Sequence, residues 1–277
     1  MTAYYNEIDP YAAQWLRNLI AAGHIATGDV DERSIVDVRP DDLRGYTQCH
    51  FFAGIGGWDA ALTLAGWQFD GRVTWTGSCP CQPFSAAGKN QGGEDERHLW
   101  PHWFRLIREC RPAIVFGEQV EAAIGWGWLD AVLGDLEAAA GYATGAAVLG
   151  AHSVGAPHIR QRLWFVADAD GSRPLDDEQP AHGRTATAID ERGATGGLVG
   201  DATDKRREGR IAGRRVAGSG CWDDLVWLPC TDGKARPTQP GLFPLAHGVP
   251  ARMGKLRAAG NAIVPQVAAE FIRACTG

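Results

Sequence analysis

Thr47-Gln-Cys-His-Phe-Phe-Ala-Gly-Ile-Gly-Gly57 is the stretch that decides the fold, and it continues into an apolar run that ends at Gly66. Its first six residues predict a buried strand, its glycines a tight turn, and the run after them a helix. Backbone N–H groups at a helix start that follows a strand and a glycine loop can hold the polar end of a cofactor. The G-x-G-x-x-G fingerprint is not met, because Asp59 stands at its last position. A plain tight turn is therefore the alternative interpretation.

A second strand, at 72–76, leads into Gly77-Ser-Cys-Pro-Cys-Gln-Pro-Phe-Ser-Ala-Ala-Gly88. A cysteine at a strand end, held on a loop by prolines, is where an α/β enzyme places a nucleophile. The alternative is a zinc-binding Cys-x-Cys pair. Structural zinc sites usually combine wider-spaced pairs, and the other five cysteines are scattered. We therefore favour a nucleophile and expect no metal.

Apolar periodicity predicts alternating strands and helices over most of the remaining chain. The predicted strands lie at 4–8, 113–116, 146–151 and 163–166, and 25–30 is a weak strand or a turn. The predicted helices start at Pro10 or span 99–110, 128–140 and 266–275. This alternation indicates an α/β sheet with a ligand cleft at the carboxyl edge of its strands. The glycine loop, the cysteine loop and Glu118 are all expected at that edge.

The composition is that of an ordinary globular protein, with 45% hydrophobic and 22% charged residues among 277. We expect one large domain, alone or with a small appendage. No apolar run is long enough to cross a bilayer, and the N-terminus has no signal-peptide pattern. Seven irregularly spaced cysteines favour a reducing cytoplasm over a disulfide framework.

The net charge of −6 argues against a non-specific nucleic-acid coat, but two local clusters are basic. Residues 205–215 carry six positive charges against one glutamate, and Arg252, Lys255 and Arg257 form the second cluster. From about 168 to 220 apolar periodicity is weak, which predicts a small irregular region. Solvated surface or linker is the alternative interpretation of the run at 205–215.

Five motifs stand in the order typical of the C5-cytosine-specific DNA methyltransferases, and the chain resembles that family. They are Phe52-Ala-Gly-Ile-Gly-Gly57, Pro80-Cys-Gln82, Glu118-Gln-Val120, His158-x-Arg160-x-Arg162, and Gly260-Asn261 with Pro265. The resemblance covers 1–167 and 250–277. It implies an S-adenosylmethionine-dependent methyltransferase (Rossmann-like) sheet with helices on both faces. Residues 1–167 would form the catalytic and cofactor-binding domain, 168–250 a small irregular target-recognition region, and 251–277 a return to the catalytic domain.

The resemblance also implies a reaction: methyl transfer from S-adenosylmethionine to C5 of a cytosine flipped out of duplex DNA. Cys81 would attack C6 and so activate C5. Glu118, its pKa raised by burial, would hold N3 and the exocyclic amine. Arg162 would reach O2, and Arg160 would support it and lower the pKa of Cys81. Phosphate contacts or ion pairs are the alternative roles for the two arginines.

Two sets of binding residues follow from the same resemblance. The cofactor set is Glu7, Ile8, Asp29, Val30, Phe52, Ala53, Gly54, Ile55, Gly56, Gly57, Pro80, Leu99, Asn261 and Ile263. The DNA set is Gln82, Ser85 and Arg97, on a mobile loop that closes over the base, with Lys205, Arg206, Arg207 and Arg210.

Three departures from the family pattern are present. Glu7 and Asp29 precede the glycine loop, whereas the family's ribose-binding acid follows it. We interpret this as a permuted order in which Glu7 binds the ribose hydroxyls and Asp29 the adenine amine; ordinary surface acids are the alternative. Gln119 replaces the usual asparagine, which predicts a shifted hydrogen bond and retained activity. His158 replaces a glutamine, so its own role is open.

The expected partner is double-stranded DNA, and the expected protein is a cytoplasmic monomer, bacterial or phage-encoded, with no membrane contact. A cognate restriction endonuclease is left open. A C5-cytosine tRNA methyltransferase and a catalytically silent DNA-binding regulator are the main alternatives. A nicotinamide-dependent oxidoreductase is a third, but it leaves Cys81 without a role.

Overall fold

The computed structural model describes residues 2–80, 99–171, 226–229, 235–238 and 260–275. Its contacts divide the chain into two compact units, Met1–Gly171 with Gly241–Gly277, and Ser172–Pro240. The second unit contains an antiparallel pair, β8 (Val226–Pro229) and β9 (Ala235–Thr238). The predicted role of 168–250 in target recognition stays a prediction. Within the described ranges, no helix is both long and apolar enough to span a bilayer.

The first unit is built on a sheet of seven described strands in the order β2-β1-β3-β4-β5-β7-β6. They are β1 (Ala3–Asn6), β2 (Gly28–Asp31), β3 (Gln48–Phe51), β4 (Thr74–Gly77), β5 (Ile114–Val120), β6 (Ala143–Gly150) and β7 (Gln161–Asp168). The first five in this order are parallel, and β7 runs antiparallel to both β5 and β6. The α/β sheet predicted from periodicity is therefore confirmed.

Helices cover both faces of this sheet, as the family resemblance implied. They are α1 (Pro10–Ala21), α2 (Gly57–Ala65), α3 (Trp100–Cys110), α4 (Trp128–Gly134) and α5 (Pro265–Ala274). Neighbouring residues of a strand point to opposite faces. Tyr5 of β1 packs with Leu16 of α1, whereas Tyr4 belongs to the cluster that contains Trp103 of α3. On the α1 face, the ring of Phe116 contacts Trp58 of α2 and Phe271 of α5.

Two strand glycines, one in β4 and one in β5, let aromatic rings approach the strand backbone closely. A Cβ on Gly77 would lie 2.6 Å from the ring of Trp103, and one on Gly117 would lie 2.0 Å from the ring of Phe165. Both distances are far below van der Waals contact, so no larger residue fits. Because Gly117 directly precedes Glu118, this close packing also holds Glu118 in place, two residues before the end of β5.

The order of strands in space differs from their order in the chain. β1 and β2 lie outside β3, although both precede it. If the β1–α1–β2 unit instead followed β3, the first five strands would be numbered 3-2-1-4-5, as in doubly wound sheets. This is the arrangement that the predicted permutation requires, and it places the glycine loop after β3 at the centre of the sheet.

The permutation gives the crossover through α2 an unusual hand. In a view with β2 at the left edge of the sheet, the chain passes leftward from β1 through α1 to β2. It passes rightward from β3 through α2 to β4, although α2 lies on the same face as α1. The segment 32–47 and α3 lie on the opposite face and also lead right. These two crossovers and the α1 crossover share one hand, and the β3–α2–β4 crossover has the other. Since about 98% of such connections are right-handed, the α2 crossover is the left-handed exception.

Candidate active site

A cleft of about 480 Å³ opens at the carboxyl edge of the parallel strands, a size typical of small-molecule sites. Many of the predicted site residues line it. They are Glu7, Ile8, Phe52, Gly54, Pro80, Leu99, Glu118, Arg160, Arg162 and Asn261. The cleft therefore joins the ends of β1, β3, β4 and β5 with the segment that precedes α5, as expected for the ligand-binding edge of an open α/β sheet.

Other predicted cofactor residues have structural positions behind the cleft. Ala53 is buried in the cluster with Tyr5 and Leu16. Ile263 packs against the start of α2, where a Cβ on Gly57 would lie 2.7 Å from its Cγ1. Ile55 and Gly56 also lie outside the set of described residues that line the cleft. These residues shape the glycine loop from behind.

Asp29 and Val30 lie away from the cleft, contrary to the expectation of an adenine contact. Asp29 pairs with Tyr4 in β2, two residues before the carboxyl end of that strand. Its Oδ2 accepts a hydrogen bond from the Tyr46 hydroxyl at 2.7 Å. Among the described residues, Asp9 and Ser34 line the cleft on this side instead. The acid in Gly28-Asp29-Val30 was a local signal, but the chain reaches the cleft only after β2 has ended, at Ser34.

Eight predicted site residues fall outside the described residues. They are Cys81, Gln82, Ser85, Arg97, Lys205, Arg206, Arg207 and Arg210. Their predicted roles stay predictions. Pro80, which precedes Cys81 in the sequence, lines the cleft.

Glu7 joins the β1–α1–β2 unit to the glycine loop that follows β3. Its Oε2 accepts the backbone N–H of Gly54 at 2.7 Å, and its Oε1 accepts the N–H of Asp9 at 2.9 Å. Within the loop, Phe52 has a φ of 52°, a left-handed conformation that costs a non-glycine residue energy. Strain of this kind concentrates at ligand sites, so the loop has the character of a binding element.

Asp59 is a residue whose importance sequence analysis missed. It is only 3% exposed and accepts hydrogen bonds from the Tyr5 hydroxyl at 2.9 Å, the Ala26 N–H at 3.2 Å and Gln48 Nε2 at 3.3 Å. His50 Nε2 lies 3.6 Å away. Burial alone would raise the pKa of Asp59, but the hydrogen bonds and the His50 charge lower it below its ordinary value. One sequence feature could have identified it: Asp59 stands where the G-x-G-x-x-G fingerprint has its last glycine.

Glu118 and Arg162 form the charged centre of the cleft. Arg162 Nε lies 3.0 Å from Glu118 Oε1, and Glu118 is buried. Burial raises the pKa of Glu118, and the Arg162 charge, a hydrogen bond from Ser78 and the Arg160 charge offset only part of that rise. A carboxyl group in this setting takes up a proton more readily than usual. It can therefore share a proton with a ligand atom.

Gln119 connects β5 with the approach to the cysteine loop. Its Nε2 donates to the carbonyl oxygen of Cys79 at 2.9 Å, and its Oε1 accepts the Val120 N–H at 2.8 Å. Both Gln119 and Cys79 are buried. The glutamine amide thus holds the backbone two residues before Cys81.

Arg160 makes a contact that the sequence did not predict. Its Nη2 donates to the carbonyl oxygens of Gly260, at 3.0 Å, and of Ala262, at 2.7 Å. These bonds hold the segment around Asn261 against the start of β7. The two arginines of the motif therefore differ: Arg162 pairs with the Glu118 carboxylate and with the carbonyl oxygen of its neighbour Gln161, whereas Arg160 donates to the two carbonyls beside Asn261.

The cleft fits a ligand with both polar and apolar parts. Glu7, held by the Gly54 N–H, supplies a carboxylate, Asn261 supplies an amide, and Phe52 and Leu99 supply apolar surface. This combination suits the amino-acid, ribose and base parts of S-adenosylmethionine. Within the described ranges, no three His, Cys, Asp or Glu side chains are grouped so that they could hold a metal ion.

Residues 73–191 match the family model of the C-5 cytosine-specific DNA methylases. Type II methyltransferase M.AgeI of Thalassovita gelatinovora is 34% identical over 109 residues, which are 38% of this chain and 25% of that protein. Type II methyltransferase M.NgoMIV of Neisseria gonorrhoeae is 35% identical over 106 residues, which are 36% of this chain and 32% of that protein. The matches thus span about a quarter to a third of these relatives.

Among solved structures, a mutant of DNMT2 from Spodoptera frugiperda has a TM-score of 0.41 and 14% identity, over 65% of this chain and 53% of that chain. A likeness this weak adds nothing to the architecture described above. The family match is more informative, because it contains Glu118, Arg160 and Arg162 and also the Pro80-Cys81-Gln82 motif. Over this segment, the chain is similar to the family of C-5 cytosine-specific DNA methylases.

Proposed function

We propose that this protein transfers a methyl group from S-adenosylmethionine to C5 of a cytosine in duplex DNA. The observation that carries the proposal is the buried Glu118–Arg162 pair, which shares one cleft with the glycine loop and Pro80. A carboxyl group that takes up a proton easily, beside a fixed guanidinium, suits the N3 and O2 edge of a cytosine.

In the proposed reaction, the thiolate of Cys81 adds to C6 of the flipped-out base. The displaced electron pair moves toward N3, where protonated Glu118 supports it, while Arg162 binds O2. C5 then takes the methyl group that S-adenosylmethionine supplies when it is bound. A solvent-derived base then takes the C5 proton, the electron pair of that C–H bond re-forms the C5–C6 double bond and expels the Cys81 thiolate, and the proton at N3 returns to Glu118, so that the enzyme returns to its starting state.

The cofactor side of the cleft would be formed by Glu7, Phe52, Gly54 and Asn261. Glu7 directly follows β1, the strand that pairs with β3, and an acid at such a strand end is the residue type that binds ribose hydroxyls. We do not include Asp29, because its carboxylate is bound to Tyr46 outside the cleft. The unit Ser172–Pro240, with its basic run at 205–215, would recognise the DNA target through phosphate and base contacts.

Bisulfite sequencing of DNA from a host that expresses the protein tests this proposal. We expect protected cytosines in one recurring sequence context, and none in a host that expresses Cys81→Ala. A purified protein should also form a covalent complex with duplex DNA containing 5-fluorocytosine. Methylation of tRNA without methylation of duplex DNA would contradict the proposal and favour the tRNA enzyme.

A further inference from the structure

Arg160 links two parts of the chain that lie a hundred residues apart. The two hydrogens of its Nη2 group serve the carbonyl oxygens of Gly260 and Ala262, at 3.0 and 2.7 Å. These carbonyls flank Asn261, and both Asn261 and Arg160 line the cleft. The arginine therefore holds the backbone on each side of a cleft residue.

The segment around Asn261 has a second anchor on the opposite side. Ile263 is buried and lies so close to Gly57 that a Cβ there would be 2.7 Å from its Cγ1. Ile263 thus fixes the segment to the start of α2, while Arg160 fixes it to the start of β7. Between these anchors, Asn261 is presented beside the glycine loop.

The backbone of Arg160 is itself in an unusual conformation. Its φ of 36° lies in the left-handed region, which is costly for a residue with a side chain. Such a conformation persists where surrounding contacts enforce it. Here it directs Arg160 to the C-terminal segment, while Arg162, two residues later, pairs with Glu118.

We infer that Arg160 is a positioning residue for the cofactor, which holds Asn261 in the cleft through the carbonyl groups of Gly260 and Ala262. This inference rests on the proposed function and assigns Arg160 to the cofactor side of the cleft, not to Cys81. Holding two carbonyl oxygens at once requires a planar group with several N–H donors in fixed directions, such as the guanidinium of Arg160. A lysine ammonium keeps the charge but is a compact point donor that cannot reproduce that geometry.

The test compares Arg160→Met and Arg160→Lys with the wild type and with a matched control, Arg111→Met. Arg111 also has a positive φ, 49°, and also donates to a backbone carbonyl, that of Ala140, but it lies before β5 at the other edge of the sheet. Three quantities are measured: calorimetric affinity for S-adenosylhomocysteine without DNA, hydrogen exchange of amides 261–268, and the single-turnover methylation rate at saturating cofactor.

We expect both Arg160 variants to bind S-adenosylhomocysteine about tenfold or more weakly, the size of effect that loss of a hydrogen bond to a charged group produces. Exchange at 261–268 should accelerate, whereas the single-turnover rate at saturating cofactor and its pH profile should change less than about threefold. Arg111→Met should leave affinity and exchange at 261–268 unchanged.

Unchanged affinity together with a lost single-turnover rate would overturn the inference and assign Arg160 to the chemistry at Cys81. Wild-type affinity in Arg160→Lys would also overturn it, because charge alone would then suffice, and this variant decides the matter if Arg160→Met does not fold. A wild-type protein that binds S-adenosylhomocysteine but methylates no DNA would contradict the proposed function only. The hydrogen-exchange measurement tests whether Arg160 holds the segment around Asn261, and it does so without bound cofactor.

Discussion

The Glu7 carboxylate accepts a hydrogen bond of 2.7 Å from the backbone N–H of Gly54. This bond joins the strand that begins the chain to the glycine loop that follows β3. Strand pairing alone would place the two loops side by side, since β1 and β3 are neighbours. The bond adds a fixed orientation, which puts the Glu7 carboxylate and Gly54 of the glycine loop on the same wall of the cleft.

Glu7→Gln should weaken binding of S-adenosylhomocysteine by about 10- to 100-fold, because a charged acceptor at the cofactor wall is lost. Asp29→Asn is the matched control. Its carboxylate is bound to Tyr46 away from the cleft, so affinity should change less than about threefold by the same scale. Calorimetric titration of both variants with S-adenosylhomocysteine measures the two affinities. An equal loss in Asp29→Asn would restore the adenine contact expected from the sequence.

Glu118→Gln should abolish most methyl transfer while making the fold less sensitive to rising pH. Burial raises the pKa of Glu118 above its unfolded value, so the folded protein holds more protons between those two values. Stability therefore falls as pH rises through that window, and the variant removes this fall. Denaturant unfolding between pH 4 and 8, a range chosen around the ordinary glutamate pKa of about 4.3, measures it.

The control for this experiment is Glu121→Gln, since Glu121 lies exposed three residues further along the chain. It should keep both activity and the wild-type dependence of stability on pH. A Glu118→Gln variant that retains full activity would rule out Glu118 as the group that supports N3.

Asp59→Asn should destabilise the fold by about 2–4 kcal/mol at neutral pH, because a buried carboxylate with several donors loses its charge. The pKa of Asp59 is lowered in the folded state, so its contribution is present above the unfolded pKa and is lost as pH falls through the folded pKa. The difference between variant and wild type should therefore shrink in acid.

Asp130→Asn is a close match for Asp59→Asn, since each aspartate is the third residue of its helix and Asp130 is exposed. Its unfolding free energy should stay within about 0.5 kcal/mol of the wild type. Equal destabilisation by both substitutions would show a general helix-start effect and not a buried polar network.

Cys81→Ala and Cys79→Ala should separate two cysteines that are only two residues apart. Cys81→Ala should abolish both methyl transfer and the covalent complex with 5-fluorocytosine DNA. Cys79 is buried in the main core, so Cys79→Ala should retain most activity and lose only about 1 kcal/mol of stability, as small core truncations do. Loss of the covalent complex in Cys79→Ala with intact folding would contradict this assignment.

Local sequence was sufficient for the elements and for much of the cleft. The predicted strand at 47–52 corresponds to β3 (Gln48–Phe51), and the helix after it to α2 (Gly57–Ala65). Strand periodicity, glycine turns and helix ends depend on neighbouring residues, and the carboxyl ends of parallel strands necessarily share an edge. That is why Gly54 and Glu118 could be assigned to one cleft before the structure was known, whereas Glu7 was assigned to it only through the family resemblance.

Relationships between distant residues were decided by tertiary structure. No local pattern specifies that Asp59 faces Tyr5 and His50, that Arg160 reaches Gly260, or that Asp29 stops short of the cleft. The hand of the α2 crossover depends on which face α2 covers and on which side β4 pairs. The sequence by itself determined the α/β class and the residue types of the site, because these follow from local chemistry. Their partners were decided by packing between segments that meet only in the folded chain.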